Sequence, residues 1–177
     1  MEPARHNNVR KAVFLDRDGV INNNRDRYYI GKSEEVEINP GVPGALGCLK
    51  KAGFLLIVIT NQGGVGRGLY SQEEVEEVHR HISDLLRPHG AEPEDYYYCP
   101  HHPESGNCLC RKPLPLMIQK TMARYMIDPG RSWFIGDSPK DMEAGKAAGL
   151  RTILIEPNSS LSRAAEQIIA ETEKDEP

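Results

Sequence analysis

The sequence has no long hydrophobic run. Its most apolar stretch, residues 54–59, is only six residues long, whereas a helix that crosses a membrane needs about 20 apolar residues. Residues 1–10 are polar and lack the apolar segment of a secretory signal peptide. We therefore expect a cytoplasmic protein with no membrane partner.

An excess of basic residues is also missing. Lys and Arg total 22 against 26 Asp and Glu, which gives a formal net charge of −4 at pH 7. Because proteins that bind nucleic acids usually carry a basic face, this balance argues against a nucleic-acid partner. The 177 residues, 38% of them hydrophobic, suffice for one soluble domain with a full core. We predict a monomer with a flexible leader at 1–10, a single domain at 11–172 and a charged tail at 173–177.

Cysteine is scarce, with 4 in the chain, and three of them are clustered beside histidines. In a cytosolic protein such a cluster indicates metal binding rather than a disulfide. Three thiolates and one imidazole make a complete tetrahedral set for Zn²⁺, and since no position is left open, the predicted zinc is structural. His101 and His102 both compete for the imidazole position. The thiolates, in a loop at 99–110, are Cys99, Cys108 and Cys110.

Short apolar segments and amphipathic segments alternate along the chain. Strands are predicted at 11–15, 54–59, 95–98, 132–135 and 151–155. Helices are predicted at 40–52, 71–86, 115–126, 138–148 and from 160 onward. This alternation, with no break in composition, predicts one α/β domain built on a parallel sheet.

Several shorter features carry local predictions. Residues 36–38 alternate and are a candidate for a short strand. Cys48, within a predicted helix, is interpreted as a small buried hydrophobic residue, and His79 and His81 as surface or groove histidines. The glycine-rich segment 63–68 directly follows a predicted strand, which favours a phosphate cradle. It matches neither the dinucleotide fingerprint nor the Walker pattern, so no nucleotide cofactor is predicted.

Polar side chains follow three of the predicted strands. Asp16 and Asp18 follow the first strand, and Gly19 lets the backbone turn away. Ligands of doubly wound sheets bind in the crevice beyond the carboxyl ends of the strands, so these side chains are expected to converge there. The remaining members of the predicted site are Thr60, Asn61, Lys112, Asp137 and Asp141.

This set of residue types predicts phosphoryl transfer. Asp16 can attack a phosphoryl group and form an aspartyl-phosphate, and Asp18 can protonate the leaving alcohol and later deprotonate water. Lys112 and Thr60 can hold the phosphoryl oxygens. Two carboxylates one residue apart repel each other unless a cation intervenes, so a Mg²⁺ site is predicted at Asp16, Asp18 and Asp137.

The order of these motifs resembles the haloacid dehalogenase superfamily of phosphatases over residues 11–155. The motifs are Asp-x-Asp-Gly at 16–19, Thr-Asn at 60–61, Lys-Pro at 112–113 and Gly-Asp-x-x-x-Asp at 136–141. Within that superfamily, residues 16–22, 60–62, 65–68, 99–103 and 108–113 resemble the heptose bisphosphate phosphatase family. The resemblance implies a three-layer, doubly wound, Rossmann-like fold with a minimal cap and a zinc-binding loop.

The same resemblance implies a function and further site residues. It implies a Mg²⁺-dependent phosphatase that removes the C7 phosphate of a heptose 1,7-bisphosphate, a small phosphorylated sugar, in the pathway to nucleotide-activated heptose. It also favours His101 over His102 as the zinc ligand. The substrate-binding residues that it implies, besides Thr60 and Lys112, are Asn24, Arg25, Arg27, Tyr29, Asn61, Gln62, Arg67, Arg111 and Ser138.

One position departs from the family pattern, and other functions compete with this one. Ser138 stands where the heptose enzymes often carry a lysine, so it can bond a phosphate but brings no charge. The main alternative is a histidinol-phosphate phosphatase, a sibling with a similar zinc loop. A phospho-acceptor signalling module would place its acceptor Asp later in the chain, and a zinc-ribbon nucleic-acid binder conflicts with the acidic balance.

Overall fold

The computed structural model describes residues 9–175 and consists of one parallel sheet with helices on both faces. The strands are β1 (Ala12–Leu15), β2 (Leu55–Asn61), β3 (Asp95–Cys99), β4 (Trp133–Gly136) and β5 (Arg151–Leu154). They pair in the order β3-β2-β1-β4-β5, and every pairing is parallel. At the end of β1, Leu15 stands opposite Val58 of β2 and Ile135 of β4. The predicted α/β parallel sheet is confirmed.

The helices form the two outer layers. They are α1 (Val42–Lys51), α2 (Gln72–Leu86), α3 (Leu116–Tyr125), α4 (Pro139–Ala147) and α5 (Ser162–Asp175). Because side chains alternate along a strand, Val13 and Leu15 pack with residues of α1, α2 and α5, while Ala12 and Phe14 pack with α3 and α4 on the opposite face. The chain therefore has the three layers of a doubly wound fold.

Local signals explain where two of the helices begin. Ser71 caps α2, since its hydroxyl accepts from the Glu74 N–H at 3.2 Å and the Glu74 carboxylate accepts from the Ser71 N–H at 2.7 Å. This reciprocal pair is the capping box that the sequence predicts. Ser138 is the N-cap of α4, with Pro139 as its first helical residue. Each of these helices follows a strand of the parallel sheet, α2 after β2 and α4 after β4. Both therefore start at the carboxyl-end edge of the sheet, beside the predicted site.

Three local predictions are wrong. Residues 36–38 form no strand; Ile38 makes a single isolated bridge to Asn22, because no neighbouring segment extends the pairing. Cys48 is exposed, since the buried stripe of α1 comprises Val42, Ala45, Leu46, Gly47 and Leu49. His79 lies buried on the inner side of α2, and only His81, on the same helix, is partly exposed.

The two ends of the described chain are tied into the fold. Residues 1–8 of the predicted leader lie outside the described residues, but the Arg10 N–H donates to the Met126 carbonyl at 2.9 Å and its carbonyl accepts from the Asp128 N–H. At the other end, α5 continues to Asp175, so the first part of the predicted tail is helical. None of the described helices is long and apolar enough to cross a membrane.

Candidate active site

A cavity of about 670 Å³ opens at the carboxyl ends of the strands. The side chains that end or follow β1, β2 and β4 line it, because parallel strands deliver their carboxyl ends to one edge. It contains all of the predicted catalytic residues and several of the predicted substrate-binding residues. Its lining includes Asp16, Asp18, Asn24, Tyr29, Thr60, Asn61, Gln62, Arg111, Lys112, Asp137 and Ser138.

The floor of the cavity is a buried lysine held between two carboxylates. Lys112 is only 3% exposed, and its Nζ lies 2.9 Å from Asp16 Oδ1 and 2.6 Å from Asp141 Oδ1. The same Nζ donates to the Ile59 carbonyl at 2.8 Å. Burial alone lowers the pKa of Lys112, but Asp16 and Asp141 outweigh it and raise that pKa above its ordinary value. Lys112 therefore stays a fixed cation at the point where β1 ends.

Two mutual hydrogen bonds place the main chain of Lys112. The Asn61 carboxamide accepts from the Lys112 N–H at 3.0 Å and donates to the Lys112 carbonyl at 3.1 Å. Asn61 is the last residue of β2, so the end of a core strand holds the loop that carries the lysine. The sequence predicts Asn61 as a substrate-binding residue, and the structure adds this second role.

Three carboxylates share one small volume. Asp16, Asp137 and Asp141 each offer an oxygen within 4.8 Å of the other two. Burial raises the pKa of Asp16 to about 7 against the opposing charge of Lys112, and burial followed by the charge of Asp141 raises the pKa of Asp137 to about 6. One lysine does not neutralise three carboxylates, so a hard divalent cation fits this set.

Among the described residues, the Asp18 carboxylate is not part of the cluster formed by Asp16, Asp137 and Asp141. Its Oδ1 accepts from Arg17 Nε at 3.1 Å and from Asn22 Nδ2 at 3.0 Å. Its Oδ2 accepts from Arg17 Nη2 at 3.0 Å and from Gln62 Nε2 at 2.9 Å. The structure thus separates the two aspartates of the motif: Asp16 faces Lys112, and Asp18 faces a set of hydrogen-bond donors.

The predicted zinc ligands come together beside the cavity. Cys99, the last residue of β3, has its Sγ 3.0 Å from that of Cys110 and 3.6 Å from that of Cys108. His101 Nδ1 lies 3.3 Å from Cys110 Sγ, and the four ligand atoms all lie within 4.8 Å of one another. His102 instead uses its Nδ1 to accept from the Glu104 N–H at 3.2 Å. Three sulfurs and one nitrogen gathered in one place provide the donor set of a tetrahedral Zn²⁺ site.

Three predicted arginines lie elsewhere. Arg25 and Arg27 line a separate, smaller recess, and Arg27 pairs with Glu35 at 2.6 Å. Arg67 is absent from the described residues that line the cavity, and the hydrogen bond that it donates to the Tyr29 side chain raises its pKa.

Only Gly63 of the glycine-rich segment lines the cavity among the described residues. A Cβ at Gly64 would overlap the Tyr70 ring, and one at Gly66 would press on the main chain of the zinc loop. These two glycines therefore serve close packing rather than a phosphate cradle.

Sequence reasoning also missed several residues. Tyr70 and Lys140 line the cavity, and Arg17 and His79 are buried behind Asp18. A signal for His79 exists in the sequence, since it falls at helical spacing with the buried Val75, Val78 and Ile82. No comparable pattern marks Arg17, whose neighbours on both sides are acidic.

Comparison with known proteins gives the same family repeatedly. The HAD-hydrolase-like family model matches residues 109–174. A relative from Rhodopseudomonas palustris is 44% identical over 147 residues, covering 80% of this chain and 81% of the relative. One from Pseudomonas putida is 40% identical over 162 residues, covering 92% and 91%. Both are named D-glycero-beta-D-manno-heptose-1,7-bisphosphate 7-phosphatase.

Solved structures agree with these relatives. The crystal structure of D,D-heptose 1,7-bisphosphate phosphatase from B. bronchiseptica, complexed with magnesium and phosphate, superposes with a TM-score of 0.81 at 30% identity, covering 91% of this chain and 99% of that one. The enzyme of the same name from Burkholderia thailandensis superposes with a TM-score of 0.61 at 28% identity, covering 89% and 84%. The chain therefore belongs to the heptose-1,7-bisphosphate phosphatase family of HAD-like hydrolases.

Proposed function

We propose that this chain is a Mg²⁺-dependent phosphatase that removes the C7 phosphate of D-glycero-D-manno-heptose 1,7-bisphosphate, a step towards nucleotide-activated heptose. The observation that carries the proposal is the Asp16 carboxylate, held 2.9 Å from a buried lysine on the floor of a cavity that Asp18 also lines. The names of the relatives supply the substrate. The monomeric state and the cytoplasmic location remain predictions.

Asp16 and Asp18 divide the chemistry between them. Asp16 attacks the phosphorus and forms an aspartyl-phosphate as the bond to the C7 oxygen breaks. Asp18, one residue further on and on the cavity wall, gives its proton to that oxygen. It then takes a proton from the water that attacks the aspartyl-phosphate, which releases phosphate and restores Asp16.

Lys112 and a bound Mg²⁺ ion are proposed to stabilise the negative charge on the phosphoryl group. The Lys112 ammonium and the Thr60 hydroxyl, both in the cavity lining, hold the phosphoryl oxygens. Asp16 and Asp137 would hold Mg²⁺, which supplies positive charge to the phosphoryl oxygens. Asp141 is assigned to Lys112, which it contacts at 2.6 Å. That Asp18 is also a Mg²⁺ ligand stays a prediction.

The zinc cluster is assigned a structural task. Cys99, His101, Cys108 and Cys110 would hold the ion, and the next residues in the chain are Arg111 and Lys112. Arg111 Nη1 also donates to the His101 carbonyl at 2.9 Å. The cluster therefore positions both cationic side chains that the substrate meets.

Substrate choice is expected to follow the charge of the site. A bisphosphate brings a second anion for Arg111, whereas histidinol phosphate brings a cationic amine that an arginine repels. We expect kcat/KM to be at least tenfold higher for heptose 1,7-bisphosphate than for histidinol phosphate. A tenfold ratio corresponds to a difference of about 1.4 kcal/mol in transition-state stabilisation. Steady-state phosphate release with and without Mg²⁺ measures it. A higher kcat/KM for histidinol phosphate would refute the substrate assignment while leaving the phosphatase assignment in place.

Arg111 provides a test of how the second phosphate is bound. Its planar fork suits a phosphate that does not react, so Arg111→Ala should raise KM for the bisphosphate by about tenfold and change KM for a sugar monophosphate far less. Arg80→Ala, which removes an exposed arginine from α2, is the matched control. Equal losses on both substrates would contradict the assignment.

A further inference from the structure

Arg17, between the two aspartates of the motif, is fully buried at 0% exposure, so it does not reach a bound substrate. Its guanidinium donates two hydrogen bonds to Asp18, from Nε to Oδ1 at 3.1 Å and from Nη2 to Oδ2 at 3.0 Å. Nη2 also donates to the Ile30 carbonyl at 2.7 Å and to Gln62 Oε1 at 3.1 Å. These two parallel bonds fix the plane of the Asp18 carboxylate as well as its distance from the guanidinium.

The other end of the guanidinium faces a histidine. Arg17 Nη1 lies 3.4 Å from His79 Nε2. Since a guanidinium carries only donors, His79 Nε2 is the acceptor, which assigns a neutral imidazole with its proton on Nδ1. Burial, followed by the charge of Arg17, lowers the pKa of His79 to about 2, in agreement with the neutral form.

Aromatic rings from the sheet hold His79 in turn. Its ring stacks on Tyr96 with centroids 4.4 Å apart and planes 13° apart, and meets Tyr98 edge-on at 5.7 Å. The imidazole is therefore fixed by α2 on one side and by β3 on the other. A buried polar ring in such a setting needs a partner for its nitrogen, and that partner is Arg17.

We propose that His79 and Arg17 form a positioning pair for Asp18: His79 orients the guanidinium, and the guanidinium holds the Asp18 carboxylate where it meets the leaving oxygen. Neither residue is catalytic, because neither is among the described residues that line the cavity. The inference rests on the proposed phosphatase function, but only on proton transfer by Asp18 and not on the heptose substrate. A small misplacement of an acid–base group is costly, since an error of about 1 Å can reduce a rate about a hundredfold.

The test compares two esters that differ in their need for an acid. Glycerol phosphate releases an alkoxide, which requires a proton from Asp18, whereas p-nitrophenyl phosphate releases a stable phenolate, which does not. The readout is the ratio of the two kcat/KM values on one sample. This ratio is independent of the fraction of enzyme that is folded, and Asp18→Asn sets its upper limit.

Four variants make the test specific. His79→Phe keeps a ring against Tyr96 but removes the acceptor, and His79→Gln restores an acceptor near the position of Nε2. His81→Phe and His81→Gln are matched controls at a partly exposed position on the same helix. Thermal unfolding of each variant accompanies the kinetics.

We expect His79→Phe to lower kcat/KM for glycerol phosphate about tenfold or more, with less than about a twofold change for p-nitrophenyl phosphate. His79→Gln should return within about threefold of wild type, and the His81 variants should match wild type. Equal losses on both esters, an unchanged ratio in His79→Phe, or the same shift in His81→Phe would overturn the inference. Wild-type protein that hydrolyses neither these esters nor heptose 1,7-bisphosphate would instead refute the phosphatase function itself, and this inference with it.

Discussion

Asp16→Asn is expected to abolish phosphate release, with kcat reduced by at least about 10⁴-fold, because an amide oxygen cannot form the aspartyl-phosphate. The fold should survive. The amide keeps the volume of the carboxylate, and Lys112 keeps its ion pair with Asp141 at 2.6 Å. Phosphate release under saturating substrate and Mg²⁺, with thermal unfolding of the same preparation, measures both effects.

The control for this variant is Asp84→Asn. Asp84 lies on α2 and makes an exposed ion pair with Arg87, so its loss should leave kcat and the thermal midpoint close to wild type. An Asp16→Asn protein that is folded and retains more than about 1% of wild-type kcat would contradict the nucleophile assignment. An unfolded one would show instead that Asp16 is needed for the fold.

Cys108→Ser is expected to remove zinc and to lower the stability of the protein. At a free zinc concentration of 100 times the dissociation constant, binding stabilises the folded state by about 2.7 kcal/mol. For a protein of this size that corresponds to a fall in the thermal midpoint of about 5–11 °C. Activity should fall as well, since Arg111 and Lys112 directly follow the last cysteine of the cluster.

Cys48→Ser is the matched control, because Cys48 is exposed on α1 and lies outside the cluster. Metal analysis of the wild-type protein and of both variants should give about one zinc per chain, except in Cys108→Ser. Wild-type protein that contains no zinc, or a Cys108→Ser variant that keeps its zinc and its midpoint, would contradict the assignment.

The sequence predicted best those features that are encoded locally. The strands β1, β2 and β4 are dominated by short apolar runs, and the side chains that end or directly follow these runs are polar. Parallel pairing then brings Asp16, Thr60 and Asp137 to one edge, which follows from strand direction alone. The Cys-x-His and Cys-x-Cys pairs likewise carry their own chemistry.

Features that depend on distant partners were not predicted. Arg17 is buried because Asp18, Gln62 and Ile30 together satisfy its donors, and no single stretch of sequence contains all three. Residues 36–38 alternate like a strand but lack a strand to pair with. The exposure of Cys48 was predictable, because it falls outside the helical spacing of the buried residues of α1.

The central place of β1 also dictates when the enzyme assembles during synthesis. β1 leaves the ribosome long before its neighbour β4, since the Ala12 N–H reaches the Ser132 hydroxyl across 120 residues. Pairing over such separations is slow, and until β4 emerges one side of β1 presents unpaired backbone groups. A chain that terminates before Trp133 should therefore aggregate through this open edge rather than persist as a partly active enzyme.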